Sequence, residues 1–164
     1  MKNRLRFNLA VISGIALILT FAIVPFTLGV HRKTQASAEI KASVQEVWAI
    51  VTTSESPACE PKQPVDTHVG SRITYPEVTY TVTGMVAPLG DMVPGLLEVE
   101  MTSPSFDARV RSVKVSYLIS KCSAGATVYV AVDIRALRGS KALMSIPSAN
   151  VFVEAVRRRV ATGS

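Results

Sequence analysis

Two stretches of strict alternation, Val113, Val115, Tyr117, Ile119 and then Val128, Val130, Val132, Ile134, stand on either side of the turn Ser123-Ala124-Gly125. A period of two places every second side chain on one face, so each stretch predicts a strand that is apolar on one side and wet on the other. The short Gly-containing turn between them predicts that they pair antiparallel. Such a sheet must cover its apolar face, and the carboxyl-terminal stretch offers the cover. Ala149, Phe152, Val153, Val156 and Val160 recur at helical spacing, with Ser145 or Ser148 as a cap and Pro147 near the first turn.

Weaker strand signals precede this hairpin. Ala36, Ala38 and Ile40 alternate with Ser37, Glu39 and Lys41, and Leu97, Val99 and Met101 alternate with Glu98 and Glu100. Ile73 with Tyr75, and Tyr80 with Val82 and Val86, mark two more. Ser43 stands three residues before Glu46, a capping-box signature, and Val44, Val47, Trp48 and Val51 then share one helical face. Residues 54–66 carry Pro57, Pro61 and Pro64 and are expected to be irregular. The expected class is α+β, a curved antiparallel sheet of six or seven strands packed on a terminal helix.

Ahead of the domain, Phe7 to Val30 is twenty-four residues long and carries no charged side chain. As a helix it would span about 36 Å, enough for a bilayer core of about 30 Å. Lys2, Arg4 and Arg6 precede it and Arg32 and Lys33 follow, so residues 1–33 are expected to form a single-pass transmembrane anchor, with the domain at 34–164. The alternative is a secretory signal cut after Ala36-Ser37-Ala38, which would leave a secreted domain. Against it stand the length of the run, the two bases before the site and the strand that the cut would divide. The formal charge of +6 divides the same way: residues 1–33 hold five bases and no acid, and residues 34–164 hold thirteen bases against twelve acids. The basicity is therefore topogenic, and no nucleic-acid partner is expected. The excess of charge before the run places the amino end in the cytoplasm and the domain outside.

The segment Ala38-Glu39-Ile40-Lys41-Ala42-Ser43-Val44-Gln45-Glu46-Val47-Trp48-Ala49-Ile50-Val51 resembles the opening of the SRPBCC superfamily, the START and polyketide cyclase/dehydrase group. Tyr117 to Ile134 resembles the end of that domain. The resemblance implies a helix-grip fold, a curved sheet around a long carboxyl-terminal helix with an apolar cavity between them. It departs in three places: the Pro-rich segment replaces a second small helix, one strand is hard to find, and the last helix, Ser148 to Ala161, is short. In this order of elements Cys59 and Cys122 fall at opposite ends of the barrel, about a strand length apart, and are not expected to pair.

Chemistry-bearing residues are few. His31 stands at the expected membrane boundary, and His68 has no neighbouring nucleophile or acid. Glu98 and Glu100 share the wet face of a strand, as do Asp133 and Arg135, and no metal or cofactor is expected. The Gly- and Pro-punctuated stretch Gly84 to Leu96 is apolar for a loop, and is expected to fold back onto the core or to form a lip or membrane-contacting patch. Arg157-Arg158-Arg159 reads as a solvated helical face, with a Glu154–Arg158 pair, or as a contact for anionic headgroups. The function expected is binding of a hydrophobic or amphipathic small molecule, a lipid at a bilayer, in a cavity lined by Trp48, Tyr80, Val82, Val115, Tyr117, Val130 and Phe152. The alternatives are a polyketide cyclase- or dehydratase-like enzyme, which needs inward polar groups, and an interaction module whose core is filled.

Overall fold

β-Branched side chains dominate the two alternating stretches, and they build the two longest strands of the sheet. The computed structural model describes residues 29–53, 68–74 and 77–162. Cys59, Tyr75, the Pro-rich segment and the run Phe7 to Leu28 lie outside the described residues. Among the described residues six strands form, β1 (Gly29–Ile40), β2 (Arg72–Thr74), β3 (Thr79–Val86), β4 (Gly95–Thr102), β5 (Val110–Cys122) and β6 (Gly125–Leu137). Two helices accompany them, α1 (Val44–Thr53) and α2 (Ala149–Thr162), with a 3-10 turn at Lys141–Met144. The sheet order is β1-β6-β5-β4-β3-β2, and every neighbouring pair is antiparallel.

Register aligns the apolar rows across the sheet. Val115 faces Val132 and Tyr117 faces Val130 across β5 and β6, while Val99 and Leu97 of β4 continue the same two rows. Slips in register at Val82/Gly84 and Val110/Ser112 bend the strands and strengthen the twist, which curves the sheet over α2. Gly125 starts β6 at φ +138°, where a Cβ would lie 2.5 Å from the Ile40 carbonyl oxygen. Only glycine lets the β5–β6 turn approach the end of β1 this closely. The architecture is the expected one: a curved six-stranded antiparallel sheet with a carboxyl-terminal helix, consistent with a helix grip.

The capping box forms as predicted. The Ser43 N–H donates to the Glu46 carboxylate at 2.7 Å, and the Glu46 N–H donates to the Ser43 hydroxyl at 3.2 Å. Hydrogen bonding to the carboxyl, from the Ser43 N–H first and the Ser43 side chain second, holds Glu46 below its ordinary range. At α2 the start is set differently: the Ala149 N–H donates to the Thr34 hydroxyl of β1 at 3.1 Å, rather than to Ser145 or Ser148. An edge strand thereby caps the helix that covers the sheet. On the wet side of α2 the ion pair is Glu154 with Arg157, one position earlier than the predicted Glu154–Arg158.

β1 begins at Gly29, seven residues before Ala36, and crosses the boundary expected between anchor and domain. Its first half escaped notice because it is an edge strand whose side chains alternate between exposed and only half-buried, so an apolar period has no reason to exist there. His31 pairs in register with Arg135, and its Nε2 lies 2.9 Å from Asp133 Oδ2. No helix among the described residues is long and apolar enough to cross a membrane.

Since Val130 is buried on the inner row and Ala131 points to the outer face, the two positions separate packing from strand propensity. Val130→Asp is expected to cost about 3–5 kcal/mol, and Ala131→Asp less than about 1 kcal/mol, by urea unfolding of the two variants. Equal losses would mean that the two faces are not distinguished as described.

Candidate ligand site on the inner face of the sheet

Three strands and two helices bring the residues named from the sequence into one apolar cluster. β3 contributes Tyr80 and Val82, β5 Val115 and Tyr117, β6 Val130, and α2 Phe152, all of them buried. Trp48 of α1 packs against the same cluster but is half-buried. All seven residues named from the sequence thus belong to the one hydrophobic core of the described residues. Trp48 sits at one end, over Gly95, where a Cβ would lie 2.7 Å from the indole ring and 3.1 Å from Pro88. The indole, Gly95 and Pro88 close the site at the α1 end.

Tyr80 and Tyr117 bring phenol hydroxyls into these otherwise aliphatic rows. The Tyr117 ring meets Phe152 edge-on, with centroids 6.4 Å apart and planes at 84°, the arrangement in which the positive ring edge faces the negative ring face. Its hydroxyl has no hydrogen-bond partner among the described residues. Burial pushes the phenol well above its ordinary range, the neighbouring Tyr80 adds to this, and Arg159 opposes it. At neutral pH Tyr117 is therefore an uncharged phenol, able to donate or accept a hydrogen bond but not to act as a base. The buried polar or charged residues of the described chain are Thr52, Ser71 and Ser140, so these inner rows hold neither a carboxylate nor an imidazole.

Arg159 was not singled out for this role by its sequence. The signal was present in part, because position 159 follows Phe152 and Val156 at helical spacing, so one arginine of the three had to lean toward the sheet. It is half-buried, whereas Arg157 and Arg158 are exposed.

Two other regions differ in character. On the opposite, wet face, a groove of about 520 Å³ is lined by Arg72, Thr79, Thr81, Glu100 and Thr102, which suits polar rather than apolar contacts. The apolar stretch expected to fold back onto the core does not do so. Its ends join β3 and β4, and the tip between them leaves Leu89 68% and Met92 88% exposed. A bridge between Leu89 and Val93 and an ion pair from Asp91 to Lys121 hold the tip outward. Cys122, at the end of β5, is a free thiol.

No family model matches the chain, and no curated protein matches it in sequence. Solved structures do match in fold. An uncharacterised protein from Rhizobium leguminosarum superposes with a TM-score of 0.57 at 10% identity, over 82% of this chain and 97% of the other. Norcoclaurine synthase from Thalictrum flavum, solved in complex with dopamine and hydroxybenzaldehyde, gives 0.57 at 13% identity, over 87% and 93%. DynU16, from the dynemicin biosynthetic locus, gives 0.51 at 17% identity, over 80% of this chain and 48% of its own. These neighbours are SRPBCC-like helix-grip proteins, and the likeness shows that fold here.

A phenol that ionises less readily when folded makes stability depend on pH in a defined direction. Below the unfolded value of about 10 both states hold the proton and nothing is lost. Above it the unfolded chain releases the proton first, so stability falls as pH rises toward the folded value. Thermal unfolding between pH 8 and 11 is expected to show a steeper decline for the wild type than for Tyr117→Phe, and parallel curves would remove Tyr117 as the cause.

Proposed function

We propose that the domain binds an apolar or amphipathic small molecule against the inner face of the sheet, and that a membrane lipid is its natural guest. The observation that carries this reading is the Tyr117 hydroxyl, buried among aliphatic side chains without a partner among the described residues. An unpaired buried hydroxyl costs roughly 1–3 kcal/mol, and a ligand with one polar end would relieve that cost while its apolar part lies along Val82, Val115 and Val130. The fold supports the reading as well, since one solved helix-grip structure holds small aromatic molecules.

Binding is read with a fluorescent fatty acid titrated into the wild type and two variants. Tyr117→Phe is expected to weaken uptake about five- to tenfold, the share of one hydrogen bond, without loss of stability. Val115→Trp should weaken it further by occupying the space. If the wild type takes up no probe at micromolar levels and Val115→Trp unfolds, the inner face is solid core and the reading as a packed interaction module replaces this one. That second reading has its own support, because Val82, Val115, Val130 and Phe152 are each no more than 1% exposed. A cyclase- or dehydratase-like activity has less, since the rows described above offer the phenols of Tyr80 and Tyr117 but no buried carboxylate or imidazole.

We also infer that the chain is tethered. With β1 beginning at Gly29, the uncharged run ahead of it is Phe7 to Leu28, still about 33 Å as a helix and long enough to span. Retention places the domain at a bilayer surface, outside the cytoplasm on the charge rule. The intact mass of protein extracted from membranes is expected to include residues 1–28. A mature chain starting near Glu39 would sink the tether, and would also remove ten of the twelve residues of β1.

A further inference from the structure

The sheet has two unlike ends. At one, β1 enters, β6 leaves and β5 begins, and here Arg32, Lys33, Arg109, Arg111, Arg138 and Lys141 gather. At the other end, about 40 Å away along a strand of twelve residues, lies the apolar tip with Leu89 and Met92.

The basic end is built, not merely populated. The Arg32 guanidinium donates to the Leu143 carbonyl at 2.8 Å and fastens the 3-10 turn to β1. The Arg109 guanidinium donates to the Gly139 carbonyl at 3.0 Å, and the Leu137 N–H donates to the Arg109 carbonyl at 2.7 Å. Arg32 thus holds a neutral acceptor and forms no ion pair among the described residues, whereas the charge of Arg109 also acts on the neighbouring Asp107 carboxyl and helps to hold it low. The nearby acids are already engaged. Asp107 accepts from the Arg109 N–H at 2.9 Å, and from the Ser140 hydroxyl and the Lys141 N–H, each at 3.1 Å. Asp133 faces His31 at 2.9 Å and Arg135 at 3.7 Å. Glu77 and Glu100 stand on the β3–β4 side. Lys33, Arg111, Arg138 and Lys141 form no ion pair among the described residues. Beside them Met144 is 90% exposed, an unbranched apolar side chain at the crest of the fastened turn.

We propose that this end of the domain is a docking face for the anionic headgroups of the bilayer, with Met144 reaching below them. The proposal rests on the tether, because the uncharged run Phe7 to Leu28 delivers the chain to this end and to no other. Charge complementarity supplies the rest: Arg111, Arg138 and Lys141, which form no ion pair among the described residues, stand around the point of entry and meet the phosphates of anionic headgroups. A base cluster with an exposed apolar side chain suits a lipid–water boundary better than open solvent. The domain then stands upright, and the Leu89–Met92 tip points away from the membrane.

The test uses the full chain in vesicles of phosphatidylcholine alone or mixed with phosphatidylglycerol, with amide hydrogen exchange as the readout. Peptides covering 138–146 are expected to exchange about fivefold more slowly on the anionic vesicles, while 87–94 remain unchanged. The difference should vanish in about 0.5 M salt, where screening confines charge effects to a few ångströms. The variant Arg111→Glu, Arg138→Glu, Lys141→Glu alters side chains that hold no other group, and is expected to abolish the difference without changing exchange in β5 and β6. Equal exchange on both lipids, with the chain retained in both, overturns the docking face and leaves the tether standing. Loss of the chain from both vesicles in high salt overturns the tether and this proposal with it. Slowing at 87–94 instead of 138–146 inverts the orientation and also overturns it.

Discussion

Everything in the fold depends on the pairing of β5 with β6 and the burial of their shared inner face under α2. Val113, Val115, Ile119, Val128, Val130, Val132 and Ile134 are fully buried there, and each contributes roughly 1.5–3 kcal/mol relative to exposure. Phe152 reaches into the middle of these rows from α2 and is itself fully buried. The other elements serve this contact. β1 pairs along the whole of β6 and caps α2 through Thr34, β4 and β3 extend the apolar rows, and α1 closes the end with Trp48.

That central contact is also the part that was legible in the sequence. Strict period-two rows at 113–119 and 128–134 admit one assignment, and Ser43 with Glu46 admits one helix start. Legibility fails where the physics that fixes an element is not local. β1 starts early because β6 offers it hydrogen bonds, and a half-exposed edge strand leaves no apolar period in its own residues. The cap of α2 comes from a threonine 115 positions away. The 3-10 turn at Lys141–Met144 buries only Ala142, so four residues carried no pattern to read. At the candidate site the row positions of Tyr80 and Tyr117 were readable, but the approach of Arg159 depended on where α2 lies over the sheet.

Tyr117 poses a physical choice that the aliphatic residues around it do not. Had the row been selected for packing alone, phenylalanine would fill the same space without a hydroxyl to desolvate. Burial sets the state of this hydroxyl, and Tyr80 and Arg159 act on it in opposite directions at one point of an apolar wall. The phenol stays protonated. On the reading proposed above, a protonated phenol suits the holding of a guest, whereas proton transfer needs a partner that changes charge near neutrality.

The distribution of charge argues the same way about the outside of the domain. Across the wet face one register line runs Arg72, Thr81, Glu100, Lys114, Asp133, Lys33, alternating in sign wherever charges adjoin. Opposite charges directly across a strand pair stabilise it modestly, and charged edges discourage a second sheet from adding on. Along this line Lys114 and Lys33 each stand across from an acid, and Arg72 at the far edge faces Thr81. A surplus of bases lies at the end where β1 enters, where backbone carbonyls occupy the arginines and the acids are held by their own turns. A sequence near charge balance over 34–164 therefore folds into a domain that is neutral along its flank and basic at one pole. A pole, unlike a flank, has a direction, and only a partner that meets the domain end-on can use it.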